Sequence, residues 1–385
     1  MLTPRERMIR VFCLEEPDRV PVFEQEIQPP TSEAVLGRSC TINNKRLLLE
    51  ILEKGEMSCS LLDRMVEDYV DLARKLKLDA LVLGSNIAPG DFTPYTRISE
   101  NEWRGDGVAI YYFSGSNELM TIDLEIRERG IEGLKRRIEE LREPLNMGPE
   151  NFYVFKRVKE ELRRRNLDLF IFVGCTLFDW HGRGWTDLAL KWLYTKPGLM
   201  REYLDAYNRR VIEVVKMEID LGADAVLDGG DLAYRHGPML SPRMYREFLL
   251  PYQRMHSDIF HRRGVFVVNR SDGNIWPIAD DFLISSGVDG YCEIDKSSGM
   301  DLGELKEKYG HKICLLGNVD CAKTLVFGSI KDVMEETIDC IMKAAPGGGY
   351  VLCSSNVIHH GVKPENYLAM LKAGRKHGSY NRRLG

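Results

Sequence analysis

The chain has 385 residues, 44% hydrophobic and 29% charged, and its 58 acidic against 53 basic residues give a formal charge of -5. This composition excludes a mainly disordered chain and allows a large core, and the charge balance does not call for nucleic acid. No apolar run approaches the roughly 20 residues that a membrane span needs. The charged stretch 1–10 has no apolar run behind it and does not read as a signal peptide, and nine scattered cysteines without a CxxC read as reduced thiols of a cytoplasmic protein.

Thr3 is placed to cap a helix over 4–14, with Pro4 in the first helical position and Glu6 three after the cap. Val20-Pro21-Val22-Phe23-Glu24 follows as a short strand. Residues 47–76 repeat apolar side chains at three- and four-residue spacing, with a weak point at Gly55. Short, unalternated apolar runs then recur at 79–84, 168–174, 222–228, 264–269, 287–293, 311–317 and 348–353, as strands covered on both faces should. Helical stretches over 242–260, 302–309, 330–344 and 364–377 separate several of them.

With the run at 20–24 there are eight strands, the arithmetic of a (β/α)₈ TIM barrel forming one domain over 1–385, with its core over about 15–380. One stretch breaks the alternation. Residues 87–122 carry Pro89, Gly90, Pro94 and the hairpin signal Asp106-Gly107. They predict a two-stranded excursion reaching over the barrel mouth, followed by a charged helix over 123–142.

In such a barrel the carboxyl ends of the strands face the active site. Polar residues recur there: Glu24 and Glu26, Asn86, His181, Asp228 and Asp231, Asn269 with Arg270 and Asp272, Glu293, Asn318, Asn356 and His359. Asp and Asn also cap helices and tighten turns, so each has a structural alternative. Asp231 and Asp272 are the expected acid–base pair, with Arg270 orienting one of them or a substrate and the others binding substrate. No Walker A loop, dinucleotide fingerprint or GxSxG elbow occurs.

At these strand ends the chain resembles the uroporphyrinogen decarboxylase superfamily, which also holds methyltransferases that pass a methyl group to a corrinoid protein or to coenzyme M. The likeness runs over about 165–380. It is carried by Asp228-Gly229-Gly230-Asp231 leading to Leu240-Ser241-Pro242, then Tyr245, Phe248, Pro251 and Tyr252. It continues through Gly299-Met300-Asp301-Leu302, Gly317-Asn318-Val319-Asp320, Gly347-Gly348-Gly349-Tyr350 and Pro364-Glu365-Asn366.

Several family positions differ. Glu26 stands at the first arginine of the decarboxylase's N-terminal motif, Asn86 at the aspartate that contacts pyrrole nitrogens, and Asn356 at the histidine after the last strand. The zinc-binding His and Cys of the thiol-methylating relatives become Arg270 and Asp272, and their third ligand becomes Asn356. The resemblance therefore implies no metal held by these three, because arginine does not deprotonate to a ligand. It implies a methyltransferase subunit that takes the methyl group of a small O- or N-methyl substrate to a corrinoid carried by a partner protein, with no tightly bound cofactor of its own. The alternative is a cofactor-free decarboxylase of a porphyrin-like or other carboxylic acid. Neither reading calls for nucleic acid or membrane, and a homodimer stays open.

Overall fold

A computed structural model describes residues 2–84 and 87–380. Seven parallel strands, β1 (Ala80–Leu83), β2 (Phe170–Gly174), β3 (Ala225–Gly229), β4 (Phe266–Arg270), β5 (Gly290–Cys292), β6 (Cys314–Leu316) and β7 (Tyr350–Val351), pair in sequence order into one curled sheet. Each pairs with the strand before and after it, the order that short helical crossovers produce. The eighth predicted run is extended but too irregular for a full ladder. It bridges both edges of the sheet: Leu352 N–H donates to Pro21 O at 2.9 Å, Phe23 N–H to Leu352 O at 3.1 Å, and Asp79 N–H to Val22 O at 2.8 Å. Asp79, fully buried, fixes this closure by accepting from Val22 N–H at 2.7 Å and from Arg19 at 2.8 Å.

Alternate residues of each strand enter different cores, because successive side chains of a strand point to opposite faces. Phe170, Phe172, Ala225, Leu227, Val268, Cys292, Cys314, Leu316, Val351 and Cys353 form the interior. Ile171, Val173, Val226, Val267, Leu315 and Leu352 join the layer packed under the helices. The N-terminal helix, Pro4–Phe12, has the expected capping box at Thr3 and Glu6. It plugs the interior from the amino ends of the strands, with Phe12 stacked 5.5 Å from Phe170 and 4.9 Å from Phe266.

The helices predicted over 302–309, 330–344 and 364–377 are present as Leu302–Tyr309, Ile330–Ala344 and Pro364–His377. Three longer predictions are interrupted. Gly55, at φ 68°, ends Lys45–Lys54 before Cys59–Leu76 begins. Gly130 splits Leu124–Arg129 from Ile131–Arg142. Leu249 separates Pro242–Phe248 from Leu250–His261, where Pro251 lacks the N–H that a continuous helix would use. Helices Tyr153–Arg164, Thr186–Thr195 and Pro197–Asp220 were not singled out from the sequence.

The excursion after β1 is larger than predicted. Four antiparallel strands, Thr96–Ser99, Glu102–Gly105, Val108–Phe113 and Glu118–Asp123, form a separate sheet rather than a two-stranded hairpin. Asp106-Gly107 makes the expected turn, but polar runs such as Thr96–Ser99, exposed throughout, carry no apolar signal and escape pattern reading. The sheet meets the segments that follow two other strands: Asp123 N–H donates to Arg183 O at 2.9 Å, and Arg46 Nε to the Tyr112 hydroxyl at 3.2 Å.

Candidate functional site

The alternation that separates the two cores also sorts the polar residues at the strand ends. Arg270 follows Val268 on the interior face of β4, where its neighbours across the ladder are Gly229 and Cys292. Gly229 has no Cβ to spare: one built there would lie 2.6 Å from Arg270 O, so glycine lets the two strand ends close. Glu293 is next to interior-facing Cys292 and would by alternation face outward. Its φ of 62° breaks the alternation, and its carboxylate lies 3.6 Å from the Arg270 guanidinium and accepts from Gln25 Nε2 at 2.9 Å. A left-handed glutamate is costly backbone, and such cost concentrates at functional sites.

Asp272 follows Arg270 on the same parity. Asn356 Nδ2 donates to its Oδ2 at 3.3 Å. Burial pushes the Asp272 carboxyl up to about 7, with further lifts from the negative charges of Asp231, Glu293 and Asp295 and an opposing pull from Arg270. Burial likewise raises Glu293 against the pull of Arg270. Asp231 stands at the rim, 39% exposed, with its Oδ2 3.2 Å from His181 Nε2. Thus the charges of Asp231, Glu293 and Asp295 all act on Asp272, against the opposing charge of Arg270. Arg270 and Gln25 also line a cavity of about 290 Å³, together with Glu24, Glu26, Tyr69, Leu81 and Leu227. Glu26 accepts from Gln28 at 2.8 Å and lies 3.4 Å from Lys45.

The remaining sequence candidates are engaged elsewhere. Asp228 follows outward-facing Val226 and lies 3.0 Å from His256 Nδ1 in the strand–helix layer; both side chains are fully buried. Asn269 follows outward-facing Val267 and donates to Phe282 O at 2.6 Å. Asn318 reaches Met300 O at 3.5 Å and takes the Cys340 thiol at 3.6 Å. Glu24 is buried against Ser354, accepting its N–H at 3.0 Å and its hydroxyl at 2.8 Å, and burial pushes it up to about 8. His359 Nε2 sits 2.9 Å from Cys321 O. Asp228, Asn269, Asn318 and His359 thus make their side-chain contacts with the scaffold, and Glu24 does so while also lining the cavity. Asn86 lies outside the described residues.

Gln25 and Asp295 also stand at strand ends in the sequence, without an assigned role. Gln25 had no signal beyond lying between two glutamates. Asp295 reads as a capping residue, and it is one, accepting from Ser297 N–H at 2.9 Å. Its charge still reaches Asp272.

The family model described as uroporphyrinogen decarboxylase (URO-D) matches residues 177–377. Curated relatives named uroporphyrinogen decarboxylase are 26% identical over 190 residues in Hydrogenovibrio crunogenus and 29% identical over 188 residues in Pseudomonas fluorescens. Each alignment covers 47% of this chain and 49% of the relative. The chain therefore spans about half the length of the curated relatives it matches. A solved structure titled methyltransferase from Methanosarcina mazei aligns with 98% of this chain and 99% of its own, at a TM-score of 0.67 and 17% identity. That likeness establishes the fold, which by itself carries no reaction. No helix among the described residues is long and apolar enough to cross a membrane.

Proposed function

Because the chain belongs to the uroporphyrinogen decarboxylase (URO-D) family, in a superfamily that also holds methyltransferases, we propose that it is an enzyme of the methyltransferase branch. It forms a single (β/α)₈ domain, works in the cytoplasm, and takes the methyl group of a small O- or N-methyl compound to a corrinoid carried by a partner protein. The observation that carries the choice is the charge of the mouth: Asp231, Asp272, Glu293 and Asp295 act around one cation, Arg270. A substrate bearing many carboxylates meets like charge there and is rejected, and a cavity of about 290 Å³ suits a small molecule. A neutral or cationic methyl donor meets neither obstacle.

When its carrier docks, the corrinoid supplies the nucleophile that accepts the methyl group. This chain's residues do the rest. Tyr69, Leu81 and Leu227 give the cavity its apolar wall. As the carbon–oxygen or carbon–nitrogen bond breaks, the leaving atom keeps the bonding pair and takes the proton of Asp272. A carboxyl at about 7 is divided between acid and base near neutrality, where proton transfer is most effective. Asn356 fixes the orientation of that carboxyl, and Arg270 limits how far its neighbours raise it. Asp231, at the rim, exchanges the proton with solvent.

The purified protein is mixed with reduced corrinoid protein and a panel of O- and N-methyl donors. The absorbance change of corrinoid methylation, with stoichiometric demethylated product, supports the reading. Carbon dioxide released from a carboxylic acid, without methylation, supports the decarboxylase alternative instead.

A further inference from the structure

We propose that Cys175, Asp228 and His256 form a buried site for a divalent thiophilic cation, zinc by its chemistry, in the layer between the strands and the helices. The three donors come from three elements. Cys175 directly follows β2 and is held in line with β3 by its N–H bond to Leu227 O at 2.8 Å. Asp228 is on β3, and His256 is on the core face of the helix Leu250–His261. Sγ of Cys175 lies 3.5 Å from His256 Nδ1, which lies 3.0 Å from Asp228 Oδ2, and one donor atom from each falls within 4.8 Å of the other two. Tetrahedral zinc bonds of about 2.0–2.3 Å place ligand atoms about 3.3–3.8 Å apart, so small side-chain shifts bring these three donors onto three of the four tetrahedral positions.

Polar accounting points the same way. Asp228 and His256 have no exposed surface and pair through Oδ2, yet Asp228 Oδ1 has no hydrogen-bond partner among the described residues. A buried charge of this kind is paired or metal-bound. Thiolate, carboxylate and neutral imidazole together carry two negative charges, which a dication offsets.

A soft sulfur with an imidazole selects zinc over the oxygen-seeking magnesium or calcium. Alternation turns Cys175 and Asp228 away from the cavity towards the helix that carries His256, so the cation fastens β2 and β3 to a helix behind Arg270 and takes no part at the mouth. The inference therefore does not depend on which reaction the mouth performs.

The test is elemental analysis of the full chain purified without chelator, followed by replacement with Co²⁺. The expected result is about one equivalent of zinc per chain and, with cobalt, a sulfur-to-metal charge-transfer band. Cys175→Ser keeps a hydroxyl for the hydrogen-bond network and removes the soft donor. It should lose the band and bind at least about tenfold less zinc, while Cys340→Ala changes neither. If Cys175→Ser does not fold, the wild-type cobalt spectrum decides alone. A wild-type protein with under about a tenth of an equivalent, no thiolate band and no zinc-dependent rise in Tm overturns the site. Equal zinc in wild type and folded Cys175→Ser overturns it as well.

Discussion

Asp228, at the end of β3, and Asp272, just after neighbouring β4, look alike in sequence, each an acidic residue followed by glycine. Their surroundings differ. Asp228 faces the helices and lies 3.0 Å from His256. Asp272 lies within reach of the charges of Asp231, Glu293 and Asp295, with Arg270 as its opposing charge, and it is pushed up to about 7. One step of strand parity thus separates a carboxylate built into the scaffold from one able to hand over a proton near neutral pH. The same parity separates Arg270 from Asn269, its immediate neighbour.

The sharpest way to break this contrast is Asp272→Asn. It keeps the shape and removes the proton, so kcat/KM for methyl transfer should fall by about 10²–10⁴, and the loss of activity as pH rises through about 7 should disappear. A fall of less than about threefold removes Asp272 from the proton transfer. Stability should move the other way. A carboxyl raised in the folded state contributes stability that is complete below its unfolded value near 3.8 and is lost as pH rises towards about 7. Asp272→Asn should therefore be more stable than wild type at pH 8, by on the order of 1–3 kcal/mol, and should lose that advantage by pH 4. Denaturant midpoints at the two pH values read this directly.

Arg270→Gln comes next. It leaves Glu293, which is 4% exposed, without its cation, and should cost on the order of 2–4 kcal/mol at pH 8. Lower pH should restore part of the loss, because protonating the carboxylates relieves their repulsion. Equal losses at pH 5 and pH 8 would show that Arg270 serves packing alone.

Asn269→Ala probes the outer face. Removing the bond to Phe282 O should cost about 1–2 kcal/mol in urea unfolding and leave kcat/KM within about twofold. A large kinetic effect with little loss of stability would undo the parity assignment. His181→Ala is the mildest change. Its partner Asp231 is 39% exposed, so the pair should be worth under about 1 kcal/mol and Tm should move little.

The alternating strand and helix runs made the curled parallel sheet legible, because each buried strand is a short apolar run between polar helices. The same property hid which side chains face the cavity. A strand apolar on both faces shows no alternation, so Asp228 and Asp231, or Asn269 and Arg270, cannot be sorted from sequence. The register of β3 with β4 sorts the adjacent pair, and the turn after Gly230 brings Asp231 back to the rim. Glu293 was placed at the mouth for being at a strand end, but it reaches Arg270 only through its positive φ. His256 carried no signal at all, since a histidine on the core face of a helix has the pattern of any buried residue. The four-stranded excursion exceeded its hairpin signal because its outer strands expose polar side chains.

The most direct test of the central claim is the titration of Asp272 itself. Carboxyl carbon-13 spectra of aspartate-labelled wild type and Asp272→Asn, recorded from pH 3 to 9, assign its resonance by difference. The account predicts a midpoint of about 7. A midpoint near 4, the ordinary value for an aspartate, would contradict it.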